Sequence, residues 1–479
     1  MRKKTKILAT VGPASDSLEV LEGLIVAGVN VFRLNFSHGT HEYHSQTIAK
    51  IREASKNVNI KVGVLQDICG PKVRVGKLES DFYLKKGDNV IFTKESIEGT
   101  KIDENTYRVC INQPNILDML KKDEYIYMCD GSIRAKVIST DGDIVTHIDN
   151  AGKLSSNKGV NFPNTIINIE VITSKDKKDL EWGSQNSVDF VAISFVQNAK
   201  DVLKARAILD SLGSKSQVFS KIEKFDAVEN LDEILEVSDG IMVARGDLGI
   251  EVPYSKVPTI QKKIIRMANA ASKPVITATQ MLLSMTEHDM ATRAEISDVA
   301  NAVLDGTDAV MLSEESAIGI NPVNVVEVMT NTIIETEKIY SYNKFGKFEY
   351  LDDTDIITAS VAKLAKNLKV RAILSLTSSG KSAKKLARYR IKNDIYAITH
   401  SEKVARSLTI TWGVHPIMNI DLSSSEDMLS SALKVGTRKG FIDKNKTYIV
   451  TAGYPAGIEG STNFLHILKR DQIEYYLGL

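Results

Sequence analysis

Eight short, β-branched apolar segments, each followed by a helical pattern, constrain this chain more than any other feature. They run Lys6–Val11, Val29–Leu34, Lys61–Asp67, Val188–Phe195, Gln217–Ile222, Gly240–Ala244, Pro274–Ala278 and Asp308–Leu312. Each is apolar almost throughout, which reads as a strand buried on both faces. Helical periodicity fills the intervals, for example Asp16–Ala27, Ala199–Ser211, Lys256–Ala271 and Arg293–Asp305. Parallel strands joined by right-handed helical crossovers are the economical way to bury such segments. Eight units in series predict a (β/α)8 TIM barrel.

The spacing breaks once, between Asp67 and Val188, an interval far too long for a crossover helix or a bare loop. Within it, turn signals Lys86-Gly87-Asp88-Asn89, Asp130-Gly131, Asp141-Gly142-Asp143 and Asn150-Ala151-Gly152 separate short alternating strands. This predicts a small β-barrel-like lid, residues 70–165, inserted in a catalytic barrel made of residues 1–69 and 166–342. From residue 343 to 479, α/β alternation resumes as a second, open α/β domain. Its expected strands are Val370–Leu376, Asp394–Thr399, Val414–Pro416 and Lys446–Thr451, with helices at Ile356–Asn367, Lys381–Arg388 and Glu426–Arg438.

Composition narrows the functional class. A chain of 479 residues exceeds one hydrophobic core, and the net charge of +1 gives no field for nucleic acid or an anionic membrane. The three cysteines, Cys69, Cys110 and Cys129, have no metal-ligand spacing and fit a reducing cytoplasm. No apolar run approaches the ~20 residues of a membrane span.

In such a barrel the last residues of every strand surround one mouth, so polar residues there become neighbours. Strand two ends Arg33-Leu34-Asn35-Phe36-Ser37-His38-Gly39, and strand three ends Gln66-Asp67. Strand five ends Lys221-Ile222-Glu223, strand six Arg245-Gly246-Asp247, strand seven Thr277-Ala278-Thr279-Gln280, and strand eight Ser313-Glu314-Glu315. Glu223 and Asp247 are candidate ligands for Mg2+ or Mn2+, which leave positions open for water and substrate oxygens. Lys221 lies two residues before Glu223, on the same side of an extended strand, and can neutralise a transferring phosphoryl group or an enolate. Arg33 offers forked donors for phosphate. Gly246 allows close backbone approach, and the helical segment Pro253–Ala271 after it offers free amides to a carboxylate.

Together these segments resemble pyruvate kinases over nearly the whole chain. The carriers are Lys6-Ile7-Leu8-Ala9-Thr10-Val11-Gly12-Pro13-Ala14-Ser15, Arg33 to Gly39, Ser220-Lys221-Ile222-Glu223, Ala244-Arg245-Gly246-Asp247-Leu248-Gly249 and Ala278-Thr279-Gln280-Met281-Leu282. Thr292-Arg293-Ala294-Glu295 and Asp298-Val299-Ala300-Asn301-Ala302-Val303 add to them. The resemblance implies phosphoryl transfer from phosphoenolpyruvate to ADP, giving ATP and pyruvate, usually by a homotetramer. It implies that Glu223 and Asp247 hold the divalent ion, Lys221 stabilises phosphoryl group and enolate, and Arg33 contacts phosphate. Gly246, Asp247 and Thr279 would receive the substrate carboxylate. Thr279 would pass a proton through water to the methylene carbon, with Ser313 and Glu315 extending the relay. Asn35, His38 and Arg74 would contact the nucleotide.

The chain also departs from the pattern. Where many members read Asp-Thr-Lys-Gly-Pro-Glu-Ile-Arg, it has Asp67-Ile68-Cys69-Gly70-Pro71-Lys72-Val73-Arg74. The replaced Glu accompanies K+ in members that need it, near positions matching Asn35, Ser37, Asp67 and Ile68. Lys72 carries the same single charge and is expected to substitute for K+, making the activity K+-independent. Asn198 stands near the place of a nucleotide-binding Lys. In the last domain Thr377-Ser378-Ser379-Gly380-Lys381-Ser382 opens a helix with hydroxyls and free amides, similar to the family's effector loop for sugar phosphates or AMP. Tyr454 to Asn463, with Gly457 and Gly460, resembles its second loop. Two other readings compete. A pyruvate-handling aldolase or lyase would share the carboxylate pair but not require ADP. A silent sensor would be expected to have lost Lys221, Glu223 or Asp247, and all are present.

Overall fold

The chain is described by a computed structural model covering residues 3–163, 165–167, 169–343, 348–418, 425–453 and 462–478. Eight strands close into a parallel barrel: Lys6–Thr10, Val31–Asn35, Gly63–Asp67, Phe190–Ile193, Gln217–Ile222, Gly240–Ala244, Val275–Ala278 and Ala309–Leu312. The first strand pairs with the second, Leu8 opposite Val31, and with the eighth, Lys6 opposite Ala309, which closes the cylinder. Every expected strand is present, most trimmed by a residue or more at an end.

Alternation along each strand divides two cores. Leu8, Leu65, Phe219, Met242 and Ile276 point into the barrel, while Ile7, Val64, Val218 and Val243 meet the surrounding helices. Ile410, from the C-terminal domain, is fully buried and belongs to the interior cluster, so it plugs the barrel's N-terminal end.

Between the third and fourth barrel strands the chain forms a separate β unit, with a seven-stranded sheet, a two-stranded sheet and a core that includes Phe92, Val109, Ile126 and Val137. The expected short strands are there, and one pair is parallel: Asn89–Thr93 runs alongside Thr106–Cys110.

The C-terminal unit is a five-stranded sheet ordered Val414–Met418, Asp394–Thr399, Ala372–Leu376, Tyr448–Gly453 and Thr462–Leu468. The last strand is antiparallel and was not expected. The unit is bolted to the barrel's N-terminal face. Arg390, 2% exposed, donates to Asp308 Oδ2 at 2.8 Å and to the Gly306 carbonyl at 2.7 Å, and lies over the Trp412 ring. The Trp412 amide donates to Asp308 Oδ1 at 3.0 Å, and Arg406 donates to the fully buried Asp189 at 2.7 Å. No helix among the described residues is long and apolar enough to cross a membrane.

Candidate active site

The strand ends converge as the sequence requires. Lys221 and Glu223 lie on one side of the fifth strand, with Nζ 2.9 Å from Glu223 Oε1. The same ammonium is 3.2 Å from Asp67 Oδ1, at the end of the third strand, and donates to Ser194 Oγ at 2.7 Å, just past the fourth. Arg33 donates from Nε to Asp67 Oδ2 at 2.7 Å and from Nη1 to Thr10 Oγ1 at 3.0 Å. Asp67 and Glu223 are each 2% exposed.

These charges set one another's protonation. Burial alone would discharge Lys221, but Asp67, Glu223 and Asp247 outweigh it and hold the ammonium more firmly than usual. Burial likewise works against the Asp67 anion, and Lys221 and Arg33 reverse it, keeping that carboxyl below the ordinary range. For Glu223 burial wins: its carboxyl is lifted above the ordinary range despite Lys221, with Asp247 adding to the rise.

A buried carboxylate that is hard to ionise beside a second carboxylate favours a divalent cation. Asp247 is half-buried, and its carboxylate has no hydrogen-bond or ion-pair partner among the described residues. Once Glu223 is ionised, Asp67, Glu223 and Asp247 outnumber Lys221 and Arg33 by one charge, which a bound cation would offset. No three His, Cys, Asp or Glu side chains gather as a cage among the described residues. Two carboxylates with room for water and phosphate oxygens is the form that suits Mg2+.

Asp247 sits in a helix that was placed too late from sequence. The segment Arg245–Glu251 is already helical, followed by a 3-10 turn at Tyr254–Lys256 and a helix at Val257–Ala270. The Gly246 amide therefore lies in a first helical turn and donates to Thr279 Oγ1 at 2.9 Å, while that hydroxyl donates to the Ala278 carbonyl at 2.6 Å. This puts Gly246, Asp247 and Thr279 together at the mouth.

Three residues at the mouth hold left-handed backbone: Phe195 (φ 59°), Thr279 (φ 71°) and Gln280 (φ 54°). Such strain persists where neighbours over-determine it. The Phe195 amide is turned onto Glu223 Oε2 at 2.8 Å. Thr279 is clamped by Arg245, whose guanidinium donates to the Thr279 carbonyl at 2.6 Å and the Ala278 carbonyl at 3.2 Å and pairs with Asp298 at 2.7 Å. Ser194 and Arg245 were not singled out for roles from sequence. Their polar type at a strand end was the available signal, and their partners come from other strands.

The remaining candidates are less central. Both Glu315 oxygens accept backbone amides, from Ser313 at 2.7 Å and Leu282 at 3.2 Å, so this fully buried carboxylate ties strand ends seven and eight. Asn35 Oδ1 accepts the Ser37 amide at 3.2 Å, and the Ile68 carbonyl accepts the Ser194 hydroxyl at 2.7 Å. Asn35, Ser37, Asp67 and Ile68 thus share one strand-end region, and all four already have internal polar partners. Lys72 lines a narrow, solvent-open cleft between barrel and inserted domain, together with Phe195, Lys224, Asp247 and Glu251; no ion pair joins it to Asp67. His38 is exposed, and Arg74 donates to the Asn157 carbonyl within the inserted domain at 2.8 Å. Asn198 caps the helix Ala199–Ser211. Glu314 is exposed, and nothing in the structure explains it.

In the C-terminal unit Thr377 Oγ1 accepts the Gly380 amide at 2.8 Å, and Gly380 takes φ 83° to start the helix Lys381–Ala387. Lys381 pairs with Asp352 at 2.8 Å, Ser382 is buried against Ser375, and Ser378 and Ser379 lie in the same turn. Gly457 and Gly460 lie outside the described residues.

Known proteins share this architecture. A family model described as "Pyruvate kinase, barrel domain" matches residues 2–326, and "Pyruvate kinase, alpha/beta domain" matches 355–468. A pyruvate kinase of Staphylococcus epidermidis is 44% identical over 481 residues, 98% of this chain and 81% of that one. One from Staphylococcus aureus is 42% identical over 486 residues, covering 100% and 82%. A crystal structure of a pyruvate kinase from Cryptosporidium parvum superposes with a TM-score of 0.91 at 34% identity, covering 98% of this chain and 96% of that one. With eight barrel strands carrying these residues to one mouth, the chain belongs to the pyruvate kinase family of phosphotransferases.

Proposed function

We propose that the barrel mouth transfers the phosphoryl group of phosphoenolpyruvate to ADP with a divalent cation, Mg2+ or Mn2+, held by Glu223 and Asp247. The observation that supports this most is the Lys221 ammonium, fixed among Asp67, Glu223 and Ser194 with Asp247 beside it. A divalent ion there supplies charge neutralisation for the phosphate and enolate oxygens. Lys221 balances charge on the transferring group and on the enolate it leaves behind, and it needs no reorganisation because its partners already orient it. Arg33 receives phosphate oxygens with the donors not used on Asp67 and Thr10. The first-turn amide of Asp247 receives the substrate carboxylate, joined by the Gly246 amide and the Thr279 hydroxyl as they give up their contacts to Thr279 Oγ1 and the Ala278 carbonyl, and Thr279 shuttles the proton through water to the methylene carbon. Ser313 stays near that path, while Glu315 holds the backbone around it.

The inserted domain, residues 70–165, is read as a lid over this mouth, with Asn35, His38 and Arg74 meeting the nucleotide when it closes. Lys72, in the cleft beside Asp247, supplies the monovalent charge, so K+ is not required. The Thr377–Ser382 turn is read as a site for a sugar phosphate or AMP in a cytoplasmic homotetramer. A titration of sugar phosphates and AMP that leaves substrate half-saturation unchanged would refute the effector reading. For the metal site the test is Glu223→Gln, expected to raise the Mg2+ concentration for half-maximal activity about tenfold or more; an unchanged Mg2+ requirement would move the metal elsewhere.

A further inference from the structure

The inserted domain leaves the barrel at Ile68-Cys69-Gly70 and returns to it at Thr173. Both crossings are pinned by one carboxylate. Asp176, fully buried, accepts the Gly70 amide on Oδ1 at 3.1 Å. Its Oδ2 accepts the Thr173 amide at 2.9 Å and the Thr173 hydroxyl at 2.5 Å. The second half is an ordinary helix cap for Ser174–Gln185. The first half is not, because it fastens that cap to a chain more than a hundred residues away.

The outgoing crossing also rests on the active centre. Gly70 has φ 68°, and a Cβ there would stand 2.8 Å from the Phe195 ring and 3.1 Å from Ser194 Cβ. Two residues earlier, the Ile68 carbonyl accepts the Ser194 hydroxyl at 2.7 Å. Ser194 Oγ in turn accepts Lys221 Nζ at 2.7 Å, and the Phe195 amide holds Glu223 at 2.8 Å. A continuous path of short contacts therefore runs Asp176, Gly70, Ile68, Ser194, Lys221. The Ser194 hydroxyl has one proton, given to Ile68, and its oxygen takes one from Lys221, so any shift of the crossing must move or break the lysine's contact.

We propose that Asp176 and Ser194 are positioning residues that couple the base of the inserted domain to Lys221 and Glu223, so that the lid's position sets the placement of the active-site lysine. This rests on reading the inserted domain as a lid. Asp176 fixes the pivot, and Ser194 transmits its position.

The test combines kinetics with hydrogen–deuterium exchange on Asp176→Asn, Ser194→Ala and the double variant of the full chain. Asp176→Asn is nearly isosteric, yet its amide must face either Gly70 or Thr173 with donor against donor. It is expected to raise KM for ADP more than KM for phosphoenolpyruvate, whereas Ser194→Ala is expected to lower kcat. The double variant should lose less kcat/KM than the product of the single losses, by about threefold or more. Independently of activity, Ser194→Ala should speed exchange at residues 69–72, and Asp176→Asn should speed it at 193–196. Multiplicative single effects together with unchanged exchange across the path would overturn the coupling, as would equal losses in every kinetic constant. If Asp176→Asn does not fold, exchange at 69–72 in Ser194→Ala decides alone, and unchanged protection there refutes the proposal. Absence of ADP-dependent turnover in the unmodified chain would instead refute the function, leaving the exchange result to stand on its own.

Discussion

Arg245→Lys isolates how much the fork of one guanidinium does for the mouth. Arg245 joins the Thr279 carbonyl at 2.6 Å, the Ala278 carbonyl at 3.2 Å and Asp298 at 2.7 Å, with a longer contact to Gln261 Oε1 at 3.4 Å. A lysine keeps the charge and, as a compact donor, satisfies Asp298 alone. Two charge-assisted hydrogen bonds are then lost, each worth ~1.5–3 kcal/mol when charged and largely shielded. The half-buried Thr279 carbonyl regains water, while the carbonyl of the fully buried Ala278 keeps the Thr279 hydroxyl as a partner, so about 2–3 kcal/mol of net restraint disappears. Opposing it is the left-handed backbone at Thr279 and Gln280, which stores ~1–3 kcal/mol each. The strain is therefore as large as the restraint removed, and Thr279 relaxes, taking its hydroxyl off the Gly246 amide. At ~1.4 kcal/mol per decade, kcat should fall about 30- to 100-fold. The assay is steady-state pyruvate formation with saturating substrates, alongside circular dichroism to show an intact fold. A kcat within about threefold of the unmodified chain would refute the reasoning, because Thr279 would then be held without Arg245.

Other outcomes follow from particular contacts. Turnover in Na+, K+ and tetramethylammonium buffers of equal ionic strength should agree closely; K+ activation of about tenfold or more would show that Lys72 does not replace the ion. Arg390→Met leaves Asp308 buried beside the domain junction without its cation and should cost about 3–5 kcal/mol in denaturant unfolding; a loss under ~1 kcal/mol would mean the junction is not held by this pair. Burial, reinforced by Lys4, lowers the Lys6 ammonium to about 8, against the pull of Glu337, Asp394 and Asp308. The unfolded chain then binds more protons between pH 8 and the ordinary lysine range, so stability should rise with pH there, by up to ~1.4 kcal/mol per unit. Lys3 and Lys384 are lowered by burial in the same direction, so Lys6→Met should reduce that rise without removing it, and an identical slope in both proteins between pH 8 and 10 would contradict it.

Much of the architecture is legible in the sequence because strands buried on both faces cannot hide their composition. The eight barrel segments, the interruption after Asp67 and the Lys221–Glu223 pairing follow from run length and the two-residue period alone. What escapes is set by tertiary context. The helix at Arg245–Glu251 carries Gly246 and Gly249, poor helix formers, and is held by its place on the barrel rim. The left-handed turns at Phe195, Thr279 and Gln280 contradict local propensity and exist because Glu223 and Arg245 pin them. Ile410 reads as one more apolar residue in the C-terminal unit, yet it fills the barrel floor from a different domain. The edge strand Thr462–Leu468 was hidden because its half-exposed pattern resembles a loop beside glycines.

The most direct test of the central claim is pyruvate formation from phosphoenolpyruvate, ADP and Mg2+, measured on the unmodified chain and on Lys221→Met. Lys221 is held by Asp67, Glu223 and Ser194 in a place where water cannot substitute for its charge. The account predicts ADP-dependent turnover by the unmodified chain and a loss of about a thousandfold or more in kcat for the variant, with phosphoenolpyruvate still bound. ADP-independent pyruvate release, or a Lys221→Met variant within about tenfold of the unmodified chain, would contradict it.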